Sequence, residues 1–466
     1  MGEPIREIAG LTIQGMDLHG RGWAKYNNKT VLVETALPGE VVDVNVYRKA
    51  KGELLARPTA IHKYSPERIE PTCKHFGVCG GCKWQNVSYN SQLKFKTQFV
   101  EKAFKQLEHL GLPAFRPIVP SENLLHYRNK MDYGFTGRRW LTKEEMADGP
   151  VTEGLTGLGQ HPSGAFDKIL HLDECFLLEE PGNTLRLAVK QFADEQGISF
   201  YDQRNRTGYL RQLIIRNSSL GEWMIILMIS NADATDAKKV LDFIEATFPQ
   251  VKSLFYVIND DLNDSIFGKE LVHYKGQQYI NERLGKVGFR VGPLSFFQTN
   301  HAQAIKLYDV AAELADLKPT DTVYDLYTGT GSIALYIANR VKHVTGIELI
   351  PEAIADAWDN ALRNEITNVH FIAADMKDVI KKDYFTNMAK PDLLITDPPR
   401  AGMHPKVVDA LLEAEIPRIV YVSCNPVTQA TDLLGLSKKY RITAIQPVDM
   451  FPQTYHVENV VSLELI

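Results

Sequence analysis

Asp325-Leu-Tyr-Thr-Gly-Thr-Gly331 follows an apolar run, Thr322–Leu326, and precedes a helical pattern that begins near Ser332. Glycines at 329 and 331 let the backbone turn sharply and come close to a ligand. Outward from this turn, from about Asn300 on, short apolar runs alternate with amphipathic helical patterns. The strand candidates are Thr322–Leu326, His343–Ile347, Val369–Ala373, Leu393–Thr396 and Ile419–Val422, with helices over Pro351–Glu365 and Pro405–Ala414. This alternation predicts a doubly wound parallel sheet whose ligands sit at the strand C-termini. Two further strands, near Ile442–Pro447 and Glu458–Leu465, are expected as an antiparallel edge pair.

Acids at the strand ends suit a nucleoside cofactor. Glu348 closes the second strand, where a carboxylate accepts ribose hydroxyls, and Asp375 closes the third, where it can meet an adenine amino group. A glycine turn plus an acid also suits a nicotinamide dinucleotide. Two features turn the reading toward S-adenosylmethionine. The third glycine of the dinucleotide fingerprint is absent, with Ser332 or Ile333 in its place. In addition, Asp397-Pro-Pro-Arg400 closes the fourth strand, similar to the Asp/Asn-Pro-Pro turn of many methyltransferases.

Ser423-Cys-Asn-Pro426 puts a cysteine at the end of the fifth strand, on the ligand edge. A lone cysteine is ordinarily a small buried hydrophobe, but here Ser, Asn and Pro surround it at a strand terminus. The helix that follows, near Thr428, is expected to lower the thiol pKa. His456-Val-Glu-Asn459 places Glu458 at the start of the last strand as a candidate base, although an isolated Glu is ordinarily a surface residue. Methylation of uracil at C5 needs such a set. Thiolate addition at C6 makes an enolate, C5 attacks the methyl group, and a base then removes the C5 proton so that the thiolate leaves. The target base must be extruded into a dry pocket.

The remaining chain reads as two further units. Residues 1–62 carry short strand-like runs, Thr30–Val33 and Val41–Val46, split by glycines and Pro38-Gly39, as in a compact β-barrel. Residues 63–294 form a central α+β region with strands such as Leu210–Ile215 and Trp223–Met228 and helices near Leu185–Glu195 and Thr235–Phe248. Residues 295–466 hold the doubly wound unit. The chain has 466 residues, 44% of them hydrophobic and 23% charged, as expected of a globular protein with several cores. No apolar run approaches the roughly 20 residues that span a bilayer. The N-terminal Glu3 and Glu7 leave no apolar signal core, so a cytoplasmic location is expected.

A net charge of −5 argues mildly against nucleic acid. The average hides ten Lys/Arg against four Asp/Glu between Lys83 and Trp140, which can form either a phosphate-tracking face or a solvated helix surface. Five cysteines, an odd number, speak against a disulfide framework and toward metal or catalysis. Cys73, Cys79 and Cys82 cluster with a distant Cys175, and four thiolates suit zinc and iron–sulfur chemistry alike.

These motifs together resemble the RNA uracil-5 methyltransferases, particularly the branch that makes 5-methyluridine in 23S ribosomal RNA. The resemblance runs from Gly20-Arg-Gly-Trp and Leu37-Pro-Gly-Glu-Val41, similar to the TRAM RNA-binding barrel, to His456–Asn459. Its most specific parts are Phe296-Phe-Gln-Thr-Asn300, Asp397–Arg400, Ser423–Pro426 and the Glu458 segment. It implies Cys424 as nucleophile, Glu458 as base, and cofactor contacts from Gln298, Tyr327, Ser332, Glu348, Asp375 and Asp397, the last also facing the uracil. It implies a [4Fe–4S] cluster on Cys73, Cys79, Cys82 and Cys175, with zinc as the alternative, and structured RNA as the substrate; a monomer is expected. His126-Tyr-Arg-Asn-Lys130 matches a family segment in which Arg128 meets RNA or forms a plain salt bridge. Thr328 departs from the family, whose members commonly carry Cys there. The competing readings are the same chemistry on the transfer-RNA T-loop, a catalytically inactive RNA-binding factor, and cytosine-5 methylation.

Overall fold

The computed structural model describes residues 6–147, 149–165, 167–379 and 390–466. Residues 1–5, which include Glu3, lie outside this set. Among the described residues no helix is long and apolar enough to cross a membrane.

The first unit is a six-stranded sheet in the order β1-β5-β6-β4-β3-β2. Its strands are β1 (Arg6–Thr12), β2 (Gly15–Met16), β3 (Gly22–Tyr26), β4 (Lys29–Val33), β5 (Val41–Ala50) and β6 (Glu53–Lys63). Alternating side chains such as Val31, Val33, Val42 and Val44 close on a small core with Ile8, Leu11 and Ala56. The fully buried Glu40 pins the exit of this unit: its carboxylate accepts from Arg68 Nε at 2.6 Å and from the Leu37 amide at 2.8 Å.

The second sheet runs β13-β12-β11-β10-β7-β8-β9. It comprises β7 (Lys130–Thr136), β8 (Gly157–Gln160), β9 (Leu170–His171), β10 (Leu210–Asn217), β11 (Trp223–Ile229), β12 (Val251–Ile258) and β13 (Leu271–Gly276). The pairing of β11 with β12 is parallel. The other neighbours pair antiparallel. A short helix α2 (Lys143–Ala147) lies between β7 and β8, and helices α3 (Gly182–Glu195) and α4 (Thr235–Thr247) cover one face, joined by stacked Phe192 and Phe243 rings 4.3 Å apart. The opposite face contributes Ile214, Met224 and Ile226 to a core that also contains Leu307, Val323 and Val344. The hairpin of β14 (Ile280–Leu284) and β15 (Val287–Val291) adds Ile280, Leu284 and Phe289 to that same core. One apolar cluster therefore runs across residue 294.

The third sheet has the order β18-β17-β16-β19-β20-β22-β21. Five parallel strands come first: β16 (Thr322–Leu326), β17 (His343–Glu348), β18 (Val369–Ala373), β19 (Leu393–Thr396) and β20 (Arg418–Ser423). Their nearly continuous apolar runs reflect burial on both faces. The last two, β21 (Tyr440–Val448) and β22 (Glu458–Leu465), are antiparallel, and β22 inserts between β20 and β21. Flanking helices include α5 (His301–Leu314), α6 (Ser332–Ile337), α7 (Pro351–Arg363), α9 (Pro405–Ala414) and α10 (Pro426–Leu436), with α8 (Met376–Val379) a single turn. Prolines at the first turn of α7, α9 and α10 start those helices where a missing N–H costs nothing. Helix α1 (Tyr89–Phe104) packs Val100 and Phe104 into the core of this third unit, beside Leu433 and Tyr440.

Candidate active site

Strand order reverses between β17 and β19 on either side of β16, so the C-terminal edge of β16 is a natural ligand crevice. The turn leaving β16 is built for close approach. Tyr327, Gly329 and Gly331 all have positive φ, at 62°, 56° and 79°. A Cβ on Gly331 would come within 3.0 Å of the Phe371 ring and 3.1 Å of Ala357, so only glycine fits there. On Gly329 it would meet nothing within 4 Å, which leaves that side of the turn open. Glu348, at the end of β17, accepts from the Gly329 amide at 3.2 Å and the Leu349 amide at 2.8 Å, so the carboxylate rides over the turn. Asp375, just past β18, pairs with Lys377 at 2.6 Å, which holds it below its ordinary pKa. Tyr327 feels the charges of both Glu348 and Asp375, and burial raises its phenol to about 12. The Ser332 hydroxyl lies 2.9 Å from that of the buried Tyr308.

The reacting edge follows from strand direction. Because β22 runs antiparallel to β20, its first residue falls at the edge where the parallel strands end. The register Ser423↔Asn459 carries Cys424 and Glu458 past the same edge, with Asp397 on the turn after neighbouring β19. Asn459 is buried and locks this arrangement: its Nδ2 donates to Gln429 Oε1 at 2.7 Å, while Gln429 Nε2 donates to the Tyr421 and Asn459 carbonyls. Asn425 caps α10 and donates to the Arg400 carbonyl at 2.9 Å, tying the cysteine turn to the Asp397–Arg400 turn.

Electrostatics dominate the site. Burial raises Asp325 to about 7, although Thr328 Oγ1 donates to its Oδ2 at 2.5 Å; its Oδ1 is buried with no partner. Burial and the Asp325 charge raise Asp397 to about 7 as well. Glu458, buried and facing Asp397, is pushed well above the usual carboxylate range, with Arg400 opposing the shift. Cys424 departs from expectation. Its thiol rises to about 11 because burial and the charges of Glu458 and Asp397 outweigh the Arg400 guanidinium. His456 is held neutral, lowered to about 4 by burial and by Arg400, Lys96 and Arg128.

Thus Cys424, Glu458 and Asp397 meet, and Tyr327, Ser332, Glu348 and Asp375 surround the adjoining turn. Gln298 comes from the segment before α5, where Asn129 Nδ2 donates to its carbonyl at 3.0 Å. The preceding loop is clamped by the buried Arg216, which donates to the carbonyls of Gly292 at 2.8 Å and Ser295 at 3.0 Å. Arg128 donates to the Lys130 carbonyl and forms no ion pair among the described residues. Arg400 and Tyr308 were missed as site residues. Tyr308 feels the charges of Asp397, Asp325 and Glu458. Arg400 stands in the quoted Asp-Pro-Pro-Arg motif, which was its signal; Tyr308 had none beyond its place on an amphipathic helix.

The four cysteines away from this edge gather in one region. All are free thiols, and the charge of Cys175 acts on Cys73, Cys79 and Cys82. Burial is the chief influence on the first three, raising Cys79 to about 11 and Cys82 to about 12. Among the described residues no three His, Cys, Asp or Glu side chains close into a group that could hold a metal ion. The expected ligand set is therefore gathered but not drawn together.

The family model described as tRNA (Uracil-5-)-methyltransferase matches residues 269–466. An uncharacterized RNA methyltransferase of Bacteroides thetaiotaomicron is 45% identical over 97% of this chain and 100% of its own length. Another, from Porphyromonas gingivalis, is 43% identical over 97% of this chain and 99% of its own. Among solved structures, the Pyrococcus abyssi tRNA (uracil-54, C5)-methyltransferase in complex with S-adenosyl-L-homocysteine superposes with a TM-score of 0.76. It is 28% identical and the match covers 98% of this chain and 99% of that one.

Proposed function

Because this chain belongs to the RNA uracil-5 methyltransferase family, we propose that it methylates C5 of a uridine in structured RNA through a covalent Cys424–C6 adduct. The observation that carries this reading is the convergence of Cys424, Glu458, Asp397 and Arg400 at one sheet edge beside the Gly329–Gly331 turn.

S-adenosylmethionine supplies the methyl group when bound, and the open turn, Glu348 and the unpartnered Asp325 Oδ1 are features that suit it. Gln298, Tyr327, Ser332, Glu348, Asp375 and Asp397 are the residues that would hold it. A positive charge held beside Asp397 favours the ionised forms of Asp397, Glu458 and Cys424. Arg400 steadies the Cys424 thiolate as it adds to C6 of the uracil, and the electron pair passes to the ring as an enolate. C5 would then take the methyl group of the bound sulfonium, whose methyl–sulfur bond breaks to leave a neutral thioether. Glu458, a strong base once ionised because burial raises its proton affinity, takes the C5 proton, and the C6–sulfur bond breaks to restore the ring. Neutral His456, tilted against Tyr455 with ring centroids 4.3 Å apart, is a wall for the extruded base.

Substitution of Cys424 by alanine is expected to abolish methylation while cofactor binding persists, and RNA carrying 5-fluorouracil is expected to trap a stable adduct with the unaltered enzyme. Retained turnover in Cys424→Ala sinks the covalent route. The resemblance in the sequence implies 23S ribosomal RNA as substrate. The transfer-RNA reading is favoured by the whole-length likeness to the Pyrococcus abyssi enzyme. Methylation of separated ribosomal and transfer RNA, followed by mapping of 5-methyluridine, distinguishes them. The N-terminal six-stranded sheet is proposed as the RNA-gripping TRAM-like barrel of residues 1–62, ahead of a central unit, 63–294, and a methyltransferase unit, 295–466. Cys73, Cys79, Cys82 and Cys175 are proposed to hold a [4Fe–4S] cluster, since four free thiols, Cys175 buried and the other three half-buried, suit that donor demand. A brown protein containing iron and sulfide after anaerobic purification is the expected result; colourless protein rich in zinc overturns it.

A further inference from the structure

Arg186, in α3, is completely buried, yet its guanidinium is only partly engaged. Nη1 donates to the Leu158 carbonyl at 3.0 Å, whereas Nε and Nη2 are buried with no acceptor. The guanidinium lies over the Tyr133 ring, 5.1 Å from its centroid. Tyr133 is also completely buried, and its hydroxyl meets no nitrogen or oxygen partner but lies beside the Cys175 thiol. Among the described residues no carboxylate forms an ion pair with Arg186, and the Tyr133 ring beneath it shares one packed cluster with Cys175, Cys79 and Cys82. A cation taken out of water with idle donors is costly unless an anion belongs beside it.

We propose that Arg186 and Tyr133 are the charge-compensating partners of a thiolate–metal site at Cys73, Cys79, Cys82 and Cys175. The inference rests on the metal reading above. Four thiolates outnumber the positive charge of a zinc ion or an iron–sulfur core, so the loaded site is anionic and accepts hydrogen bonds at sulfur. Its two sides differ. On the Cys73 side a cavity of about 410 Å³, lined also by Lys74, His75, Asp173 and Asn183, admits water. There Lys74 is already paired with Asp173 at 2.6 Å. On the buried Cys175 side, Arg186 and Tyr133 supply the idle donors. Arg186 acts through the ligands and is a positioning residue.

Full-length wild type, Arg186→Met, Arg186→Lys and Tyr133→Phe are purified anaerobically, and iron, acid-labile sulfide and zinc are counted per chain. Retention of metal against a chelator, melting temperature with and without metal and, where iron is present, the midpoint potential are then compared. Arg186→Met is expected to weaken metal retention about 10- to 100-fold and to move the midpoint to more negative values, because the reduced site loses its nearby cation. Arg186→Lys should keep most of the wild-type behaviour, and Tyr133→Phe should shift it the same way by less. In the metal-free chain Arg186→Met should melt no lower than wild type, since an unpaired buried charge has been removed. Wild-type retention and potential in Arg186→Met overturn the role of Arg186 and leave the metal reading intact. An equal fall in melting temperature with and without metal assigns a packing role and overturns it too. Wild type devoid of iron, sulfide and zinc overturns the metal reading, and this inference with it.

Discussion

Replacement of Lys96 by methionine tests how the central helix α1 governs the reacting edge. Lys96 and Asp449 are both fully buried, 2.5 Å apart. Lys96 Nζ also donates to the Phe451 carbonyl at 2.9 Å, and Asp449 Oδ2 accepts from Tyr89 Oη at 2.9 Å. The pair ties α1 to the segment between β21 and β22 that leads into Glu458. At 2.5 Å and an effective dielectric of about 20 the attraction is about 7 kcal/mol. Desolvation of both charges offsets much of it, and burial holds Lys96 below its ordinary pKa despite Asp449. Removal of the cation leaves Asp449 buried without its partner, a loss of about 3–5 kcal/mol. Lys96→Met combined with Asp449→Leu should recover most of that loss. The assay is urea unfolding followed by tryptophan fluorescence across a double-mutant cycle, with methylation kinetics on the same proteins. A fall in kcat should accompany the single variant, because Glu458 loses its support. A loss under about 1 kcal/mol, or a double variant no more stable than the sum of the singles, refutes the reasoning.

With its thiol raised to about 11, Cys424 in the cofactor-free protein should react with iodoacetamide about tenfold faster for each pH unit between 7 and 9; a flat profile means a thiolate is already present. Asp325 and Asp397 ionise near 7, so above that pH they attract a sulfonium and below it they are neutral. The affinity for S-adenosylmethionine relative to S-adenosylhomocysteine, measured by calorimetry, should therefore grow from pH 6 to pH 8, and a constant ratio contradicts it. Gly402 has φ +81°, and a Cβ there would sit 2.7 Å from Asp432 Oδ2, which accepts from the Met403 amide and Tyr421 Oη. Gly402→Ala should cost more than about 1 kcal/mol and lower kcat by displacing Asp397–Arg400; unaltered unfolding and kinetics would show that the turn tolerates a side chain.

The doubly wound sheet was legible in the sequence because strands buried on both faces must be apolar throughout, and β16, β18 and β19 begin and end where their apolar runs do. The chemistry-bearing positions were legible for a related reason: Gly329, Glu348, Asp397 and Cys424 stand at strand ends, where a polar residue interrupts an apolar run. Burial and direction were not. The sign of the Cys424 shift escaped a local argument from the following helix, because the opposing carboxylates arrive from other strands and the surroundings exclude water. Tyr308, Arg186 and Lys96 read as unremarkable helix residues, and Asp449 as a connecting residue, until distant segments enclose them. Periodicity along a chain reports which face of each element is covered, whereas the identity of the group across a contact depends on strand order and register. The antiparallel insertion of β22 beside β20 is such a long-range choice, and it alone brings Glu458 to the edge that Cys424 occupies.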